Sequence, residues 1–316
     1  MESYDVLVIG GGPAGLAAGL WLGRYRRKTL ISDAGEQRNL AALRSHGYLA
    51  FDGSSPQELL ARADADVARY PTVHRRNDRV IELAAVGNGF VANIGDDEVT
   101  AKRVVLTTGV QDVVPEVAGF DELYGRSIFH CSCCDGYESR DMSVVAIGWG
   151  EHVAGFALDL LEWGAHVTLI TDGQTFDGDA DARLALARHD IEIIEDTVDC
   201  FAIEDGRMRG VRLVSGREVT AERAFFSIAH RPRTDLAVAL GCETDDQGYL
   251  RVGPHGETTV EGVYAAGDVT PGEQLVLTAA STGAVAGIAC ALSLRGETTV
   301  AGVPDPGPDP EEELAQ

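Results

Sequence analysis

Residues 4–9 (YDVLVI) form a short apolar run rich in β-branched side chains. It ends in Gly10-Gly11-Gly12-Pro13-Ala14-Gly15 and passes into a small-residue, helix-like segment. This is a G-x-G-x-x-G pattern set between a strand and a helix, and each glycine has its own reason to be there. Gly10 permits the tight turn, Gly12 lets backbone come close to a pyrophosphate, and Gly15 lets helix and strand pack closely. Phosphate charge then meets a helix N-terminus. A second apolar run, 29–32, ends at Asp33, at the spacing expected of an acid that hydrogen-bonds an adenosine ribose. The start of the chain is thereby committed to a strand-helix-strand nucleotide module.

Much later, residues 262–269 (GVYAAGDV) supply another strand ending at Gly267-Asp268, followed by an apolar small-residue helix over roughly 278–294. An acid at that strand end can reach the ribityl hydroxyls of a flavin while the next helix points its N-terminus at the ring system. The two ends of the chain therefore build one site, and FAD is the cofactor they imply. Between them the pattern repeats. Residues 143–147 (SVVAI) lead to Gly148-Trp149-Gly150-Glu151-His152-Val153, then an apolar helix over 154–163 and a strand over 166–170, which makes a second Rossmann-like module. Its fingerprint is damaged. Val153 fills the third small position, and Glu151 puts negative charge where a pyrophosphate would lie. The strand end Thr171-Asp172-Gly173 brings no arginine for a 2′-phosphate. NADPH is a poor fit; NADH stays open, because Asp172 can accept a hydrogen bond from a 2′-hydroxyl.

Between the two fingerprints lies Cys131-Ser132-Cys133-Cys134-Asp135-Gly136-Tyr137-Glu138. Two thiols in a C-x-x-C can close a disulfide, and the thiolate form that reacts is favoured at the start of a helix. Three of the six cysteines crowd into four positions, which reads as catalytic or metal-binding rather than as a structural disulfide framework. Zinc is the weaker choice, since no second Cys/His pair lies at ligand spacing, and we expect no metal. Cys133 is expected to point away from the pair, because adjacent residues on a helical turn face different directions. Cys200, Cys242 and Cys290 read as small core residues. The acidic runs at 177–181 and 245–246 lack the ligand order of a calcium loop.

With Asp+Glu 50 against Lys+Arg 26, the net charge of −24 repels phosphate backbones and anionic lipid, so neither nucleic acid nor membrane is an expected partner. No basic leader opens the sequence and no segment approaches eighteen uninterrupted apolar residues, so a cytoplasmic location is expected. The fold class expected is α/β, with two Rossmann-like three-layer dinucleotide-binding domains. The FAD-binding domain is discontinuous, 1–112 plus 243–302; the inserted NAD(P)-binding-like domain, 113–242, carries the C-x-x-C. Residues 303–316 are Pro-rich and acidic, a tail expected to be disordered.

These residues together resemble the low-molecular-weight thioredoxin reductase family over nearly the whole chain. The resemblance is carried by Gly10, Gly12 and Gly15, Thr107-Thr108-Gly109, the Cys-x-x-Cys-Asp-Gly of 131–136, Gly148 and Gly150, and Gly267-Asp268. Within that family the chain looks more like the dithiol oxidases that close the disulfides of gliotoxin- and holomycin-type metabolites. The features responsible are Gly136-Tyr137-Glu138, Asp33 with Arg38-Asn39 and Ser45-His46-Gly47-Tyr48, and Gln274-Leu275 where the reductases carry Arg-Gln. Asp135 stands where that branch usually carries His, and matches the reductases.

The resemblance implies a homodimer and a Cys131/Cys134 redox disulfide, with Cys134 facing the flavin, Cys131 exchanging with substrate sulfur and Asp135 moving the proton. It also implies a cofactor cradle from Gly10, Gly12, Pro13, Ala14, Gly15, Asp33, Arg38, Asn39, His46, Thr108, Gly109, Gly267, Asp268, Gln274 and Leu275. The leading expectation is a flavin-dependent thiol–disulfide oxidoreductase acting on a small-molecule or protein dithiol or disulfide, without tight use of NADPH. The alternatives are an NAD(P)H-dependent thioredoxin reductase, with thioredoxin as partner, and an FAD-binding redox sensor without turnover.

Overall fold

The first strand, β1 (Glu2–Ile9), is buried from Tyr4 onward. It begins before its apolar run because Glu2 and Ser3, though exposed, pair with Val99 and Thr100 of a neighbouring strand. The computed structural model describes residues 2–227 and 229–295; the expected tail lies outside the described residues, as does the end of the span 243–302. After β1 come α1 (Pro13–Arg24), β2 (Thr29–Ser32) and α2 (Pro56–Val67). The last is started by Ser55, whose hydroxyl accepts from the Glu58 amide. Then follow β3 (Val73–Arg76), β4 (Val80–Val86), β5 (Gly89–Ile94) and β6 (Asp97–Leu106).

β3, β2, β1 and β6 are neighbours in a parallel sheet. β6 is long enough to change partners: its first half pairs antiparallel with β5, which continues to β4. The chain leaves this unit through β7 (Val110–Val113). In the second unit it forms α3 (Phe120–Leu123), β8 (Ile128–Phe129), α4 (Ser132–Asp135), β9 (Ser143–Ile147), α5 (Val153–Asp159), β10 (His166–Ile170), α6 (Ala180–Arg188) and β11 (Glu192–Ile194). A meander of β12 (Val198–Glu204), β13 (Arg207–Leu213) and β14 (Glu218–Thr220) follows, then β15 (Arg223–Phe226). The chain returns through β16 (Ala229–Pro232), which pairs with β7. It finishes the first unit with α7 (Asp235–Ala239), β17 (Val263–Ala265), which pairs with the end of β6, and α8 (Val276–Leu292).

Each unit has its own sheet buried on both faces, as parallel strands require. In the first, Leu7 and Ile9 face a cluster containing Leu83, Phe90 and Leu250. Val6 and Val8 face the opposite cluster, which holds Leu16, Ala18 and Ala286 of α1 and α8. In the second, the sheet order is β11-β10-β9-β15-β8. Val145 and Ile147 face the meander through Phe201 and Val211, while Val144 and Ala146 face Ala157 and Leu186 of α5 and α6. The expected pair of three-layer α/β modules is the architecture observed.

Two stretches fall on the other side of the expected boundaries. Among the described residues the compact units are 2–40, 48–111 and 231–295 for the first, and 41–47 with 112–227 and 229–230 for the second. Residues 231–242 join the first unit because Ala237 and Cys242 are buried in its core with Leu83 and Leu250. Residues 41–47 join the second because the Leu43 amide donates to the Gly125 carbonyl, and the backbone of Ala41 fills the space that a side chain on Gly125 would need. The helix expected over 154–163 is shorter: α5 ends at Asp159 and tightens into a 3-10 turn, Leu160–Glu162.

Candidate active site

In the first unit, the sharp bend after β1 places Gly10 at φ +114°, a conformation glycine adopts without strain. A Cβ there would lie 2.2 Å from the Thr107 carbonyl oxygen, and one on Gly15 would lie 1.9 Å from the Gly10 carbonyl oxygen. Gly12 is different: a Cβ on it would meet only Gln37 Cγ, at 3.8 Å. Gly12 is also the N-cap of α1 and offers no side-chain cap, while Pro13 removes one of the helix-end amides. The remaining amides of that twelve-residue helix are left for an anion.

Of the other expected cradle residues, all but His46 lie in this same unit. Thr107 Oγ1 bonds the carbonyls of Ile9 and Gly10, and Thr108 Oγ1 donates to the Arg233 carbonyl. Gly109 has φ +67° and Gly267 φ +76°, and a Cβ on Gly267 would reach Ala14 Cβ at 2.8 Å. Arg38 joins Asp268 (3.5 Å) to Gln274 Oε1 (2.6 Å), and Gln274 in turn donates to Tyr249. Leu275 stands at the N-cap position of α8, with no side-chain cap. Asn39 Nδ2 is buried with no hydrogen-bond partner. Asp33 already holds protein partners: its carboxylate accepts from the Gly35 amide, from Gln37 and from Arg75, the last at 3.0 Å.

In the second unit, Cys131 and Cys134 form a disulfide, with their Cα atoms 5.3 Å apart. Cys131 is the N-cap of α4, and its sulfur accepts from the Cys134 amide at 3.1 Å. Since α4 is a single turn, this amide rather than a helix macrodipole is what favours charge on sulfur. Cys133 is free and exposed. Gly136 is fixed by crowding, because a Cβ on it would lie 2.5 Å from both the Trp163 indole and the Ser132 carbonyl oxygen. Burial pushes the Asp135 carboxyl up to about 7, with His46 opposing the rise and Glu138 adding to it. His46, grouped with the flavin cradle in the sequence, thus belongs to the cysteine unit, where its Nδ1 lies 3.6 Å from Glu138 Oε1; the loop 41–47 carries it there.

A further polar chain was not legible in the sequence. Tyr124 Oη lies 2.8 Å from His130 Nδ1 and 3.1 Å from Asp112 Oδ2, and Asp112 Oδ1 lies 2.8 Å from His230 Nδ1. Asp112 and His230 are 118 positions apart, so no spacing motif joins the chain's two ends. At the second glycine loop, Gly150 has φ +95°, Trp149 is exposed, and His152 Nε2 is hydrogen-bonded to Ser227 Oγ. Asp172 Oδ1 accepts from the Val198 amide at 2.9 Å. Cys290 is wholly buried and its thiol is pushed up to about 12; burial raises Cys242 as well. Among the described residues no cluster of His, Cys, Asp or Glu is placed to hold a metal ion, and no helix is long and apolar enough to cross a membrane.

Residues 4–283 match the family described as pyridine nucleotide-disulphide oxidoreductase. The chain belongs to this family. Two relatives extend the likeness over most of its length. A protein named thioredoxin reductase sirT, of Leptosphaeria maculans, is 31% identical over 309 residues, covering 90% of this chain and 92% of the relative. A thioredoxin reductase of Mycolicibacterium smegmatis is 30% identical over 297 residues, covering 90% and 94%. The crystal structure of HlmI matches with a TM-score of 0.88 at 33% identity, covering 92% of each chain.

A thioredoxin reductase-like oxidoreductase of this family implies FAD. The residues of the first unit fit it: the space over Gly12, the uncapped start of α1 and the unpartnered Asn39 amide are what a dinucleotide with anionic and hydrogen-bonding groups requires.

Proposed function

We propose that the chain is an FAD-dependent thiol–disulfide oxidoreductase that passes two electrons between the Cys131/Cys134 disulfide and flavin, without tight use of NADPH. The observation that carries this reading is the disulfide itself, closed beside a carboxyl that burial holds near neutrality. A group poised at that point can give and take a proton at physiological pH. The substrate is a small-molecule or protein dithiol, and the dithiol oxidase branch is supported by Gly136-Tyr137-Glu138 and by Gln274-Leu275.

In this reading Gly10, Gly12, Pro13, Ala14 and Gly15 hold the pyrophosphate at the start of α1. Asp33 and Asn39 take ribose and adenine-side contacts, and Arg38, Asp268, Gln274, Leu275, Gly267, Thr108 and Gly109 frame the flavin side. FAD, when bound, accepts the electron pair of the reduced cysteines or supplies it in the opposite direction. The protein's own work is at sulfur. A substrate thiolate attacks Cys131 Sγ, the bond to Cys134 breaks, and the electron pair leaves on Cys134. The second substrate thiol then displaces Cys131 and closes the product disulfide. Asp135 exchanges the proton that must follow the charge.

Several features weigh against NADPH: the absence of arginine from Thr171-Asp172-Gly173, the exposed Glu151 at the glycine loop, and the use of Asp172 Oδ1 by the Val198 amide. A second reading, an NADH-dependent thioredoxin reductase, is favoured by the names of the relatives and by the remaining oxygen of Asp172. A homodimer and a cytoplasmic location go with either reading. Anaerobic mixing of the purified flavoprotein with NADPH, NADH and dithiothreitol in turn separates them. Bleaching by the dithiol and not by NADPH is expected; rapid bleaching by a nicotinamide, with transfer to a thioredoxin, replaces the first reading with the second.

A further inference from the structure

Asp135 does not stand alone beside the disulfide. The charges of His46, on the loop 41–47, and of Glu138, in the 3-10 turn after α4 and three residues on from Asp135, both act on its carboxyl. His46 Nδ1 is 3.6 Å from Glu138 Oε1, and the two side chains keep 21% and 36% of their surface open to solvent. The other carboxylate oxygen, Glu138 Oε2, is buried with no hydrogen-bond partner. His46 and Glu138 are the charged groups that bear on Asp135 among the described residues. The three groups form a cluster beside the cysteine helix, and His46 and Glu138 are both partly open to solvent.

We propose that His46 and Glu138 are positioning residues that set when Asp135 gives and takes its proton as the Cys131/Cys134 disulfide opens and closes. The inference rests on reading that disulfide as the redox centre. On opening, a substrate sulfur bonds to Cys131, the bond between Cys131 and Cys134 breaks, and the electron pair leaves on the Cys134 sulfur. Asp135 passes its proton to that sulfur and becomes a carboxylate. A proton from solvent then restores the Asp135 carboxyl. On closing, the same proton leaves by the same route. A cationic His46 favours the ionised form of Asp135 and an anionic Glu138 disfavours it, so their removal has opposite effects.

The test uses the flavoprotein reduced with dithiothreitol, with Cys131 alkylation by iodoacetamide followed by mass spectrometry across pH. The variants are His46→Gln, Glu138→Gln and Asp135→Asn, each checked for flavin retention and melting temperature. The wild-type profile is expected to carry an inflection that Asp135→Asn removes. His46→Gln moves it up by about one pH unit and Glu138→Gln moves it down by about one, the size a single nearby charge imposes when partly screened. Neither substitution acts once Asp135 is Asn. Shifts in the same direction, or no shift while Asp135→Asn still acts, overturn the inference and leave the disulfide reading intact. Cys131 alkylation that does not depend on prior reduction overturns both. Should His46→Gln fail to fold, Glu138→Gln in the wild-type and Asp135→Asn backgrounds decides alone: a downward shift confined to the first supports the inference and its absence refutes it.

Discussion

Gly283 in α8 lies against the backbone of Ala14 in α1, so closely that a Cβ on Gly283 would sit 2.1 Å from the Ala14 carbonyl oxygen. One turn further on, Gly287 meets the Ala18 backbone in the same way. The last long helix therefore fixes the helix whose start forms the nucleotide loop. Alanine at 283 would gain helix propensity worth up to about 1 kcal/mol, but the clash is with backbone and costs roughly 1–3 kcal/mol. Gly283→Ala is expected to lower the melting temperature and loosen flavin, measured by thermal unfolding and by FAD retained after gel filtration.

Gly12 offers the complementary experiment, because no protein atom occupies the space its side chain would fill apart from Gln37 Cγ at 3.8 Å. Its backbone is extended, at φ −75° and ψ −173°, which a β-branched residue accepts. Gly12→Val is expected to change the stability of the flavin-free protein by less than about 1 kcal/mol. FAD affinity is expected to fall roughly tenfold or more, since backbone can no longer approach the pyrophosphate. Equal losses of stability and affinity would place the cofactor elsewhere.

Asp135 makes stability depend on pH. Its folded pKa of about 7 lies above its ordinary value of 3.8, so between those values the folded state keeps a proton that the unfolded chain releases. Stability is then greatest at the acid end of this window and falls as pH rises toward 7, by at most about 4 kcal/mol. Asp135→Asn mimics the protonated form. In chemical denaturation it is expected to match wild type at pH 4 and to exceed it at pH 8.

The strands of the two nucleotide modules were legible because apolar β-branched runs stop abruptly, at glycine after β9 and at or just before an acid after β2 and β10, and all three have the expected bounds. What escaped depends on tertiary contacts. Glu2 and Ser3 enter β1 through pairing rather than through burial. His46 sits beside Glu138 because residues 41–47 pack on Gly125, a contact that no local pattern encodes. Asp33 has the predicted position at the end of β2, yet it meets Arg75 from β3, and a strand with the burial of Val73–Arg76 has no apolar signature to announce it. The Tyr124, His130, Asp112 and His230 chain is invisible for the same reason.

The sharpest measurement is an anaerobic dithiothreitol titration, followed at the flavin absorbance, of the wild type and of the Cys131→Ser, Cys134→Ser and Cys133→Ser variants. Wild type and Cys133→Ser should bleach and recover in air, the latter because Cys133 is free and exposed, outside the disulfide. Cys131→Ser and Cys134→Ser should keep their colour. Bleaching at the wild-type rate in either of those two variants would show that electrons reach the flavin without the disulfide, and would contradict the proposed chemistry.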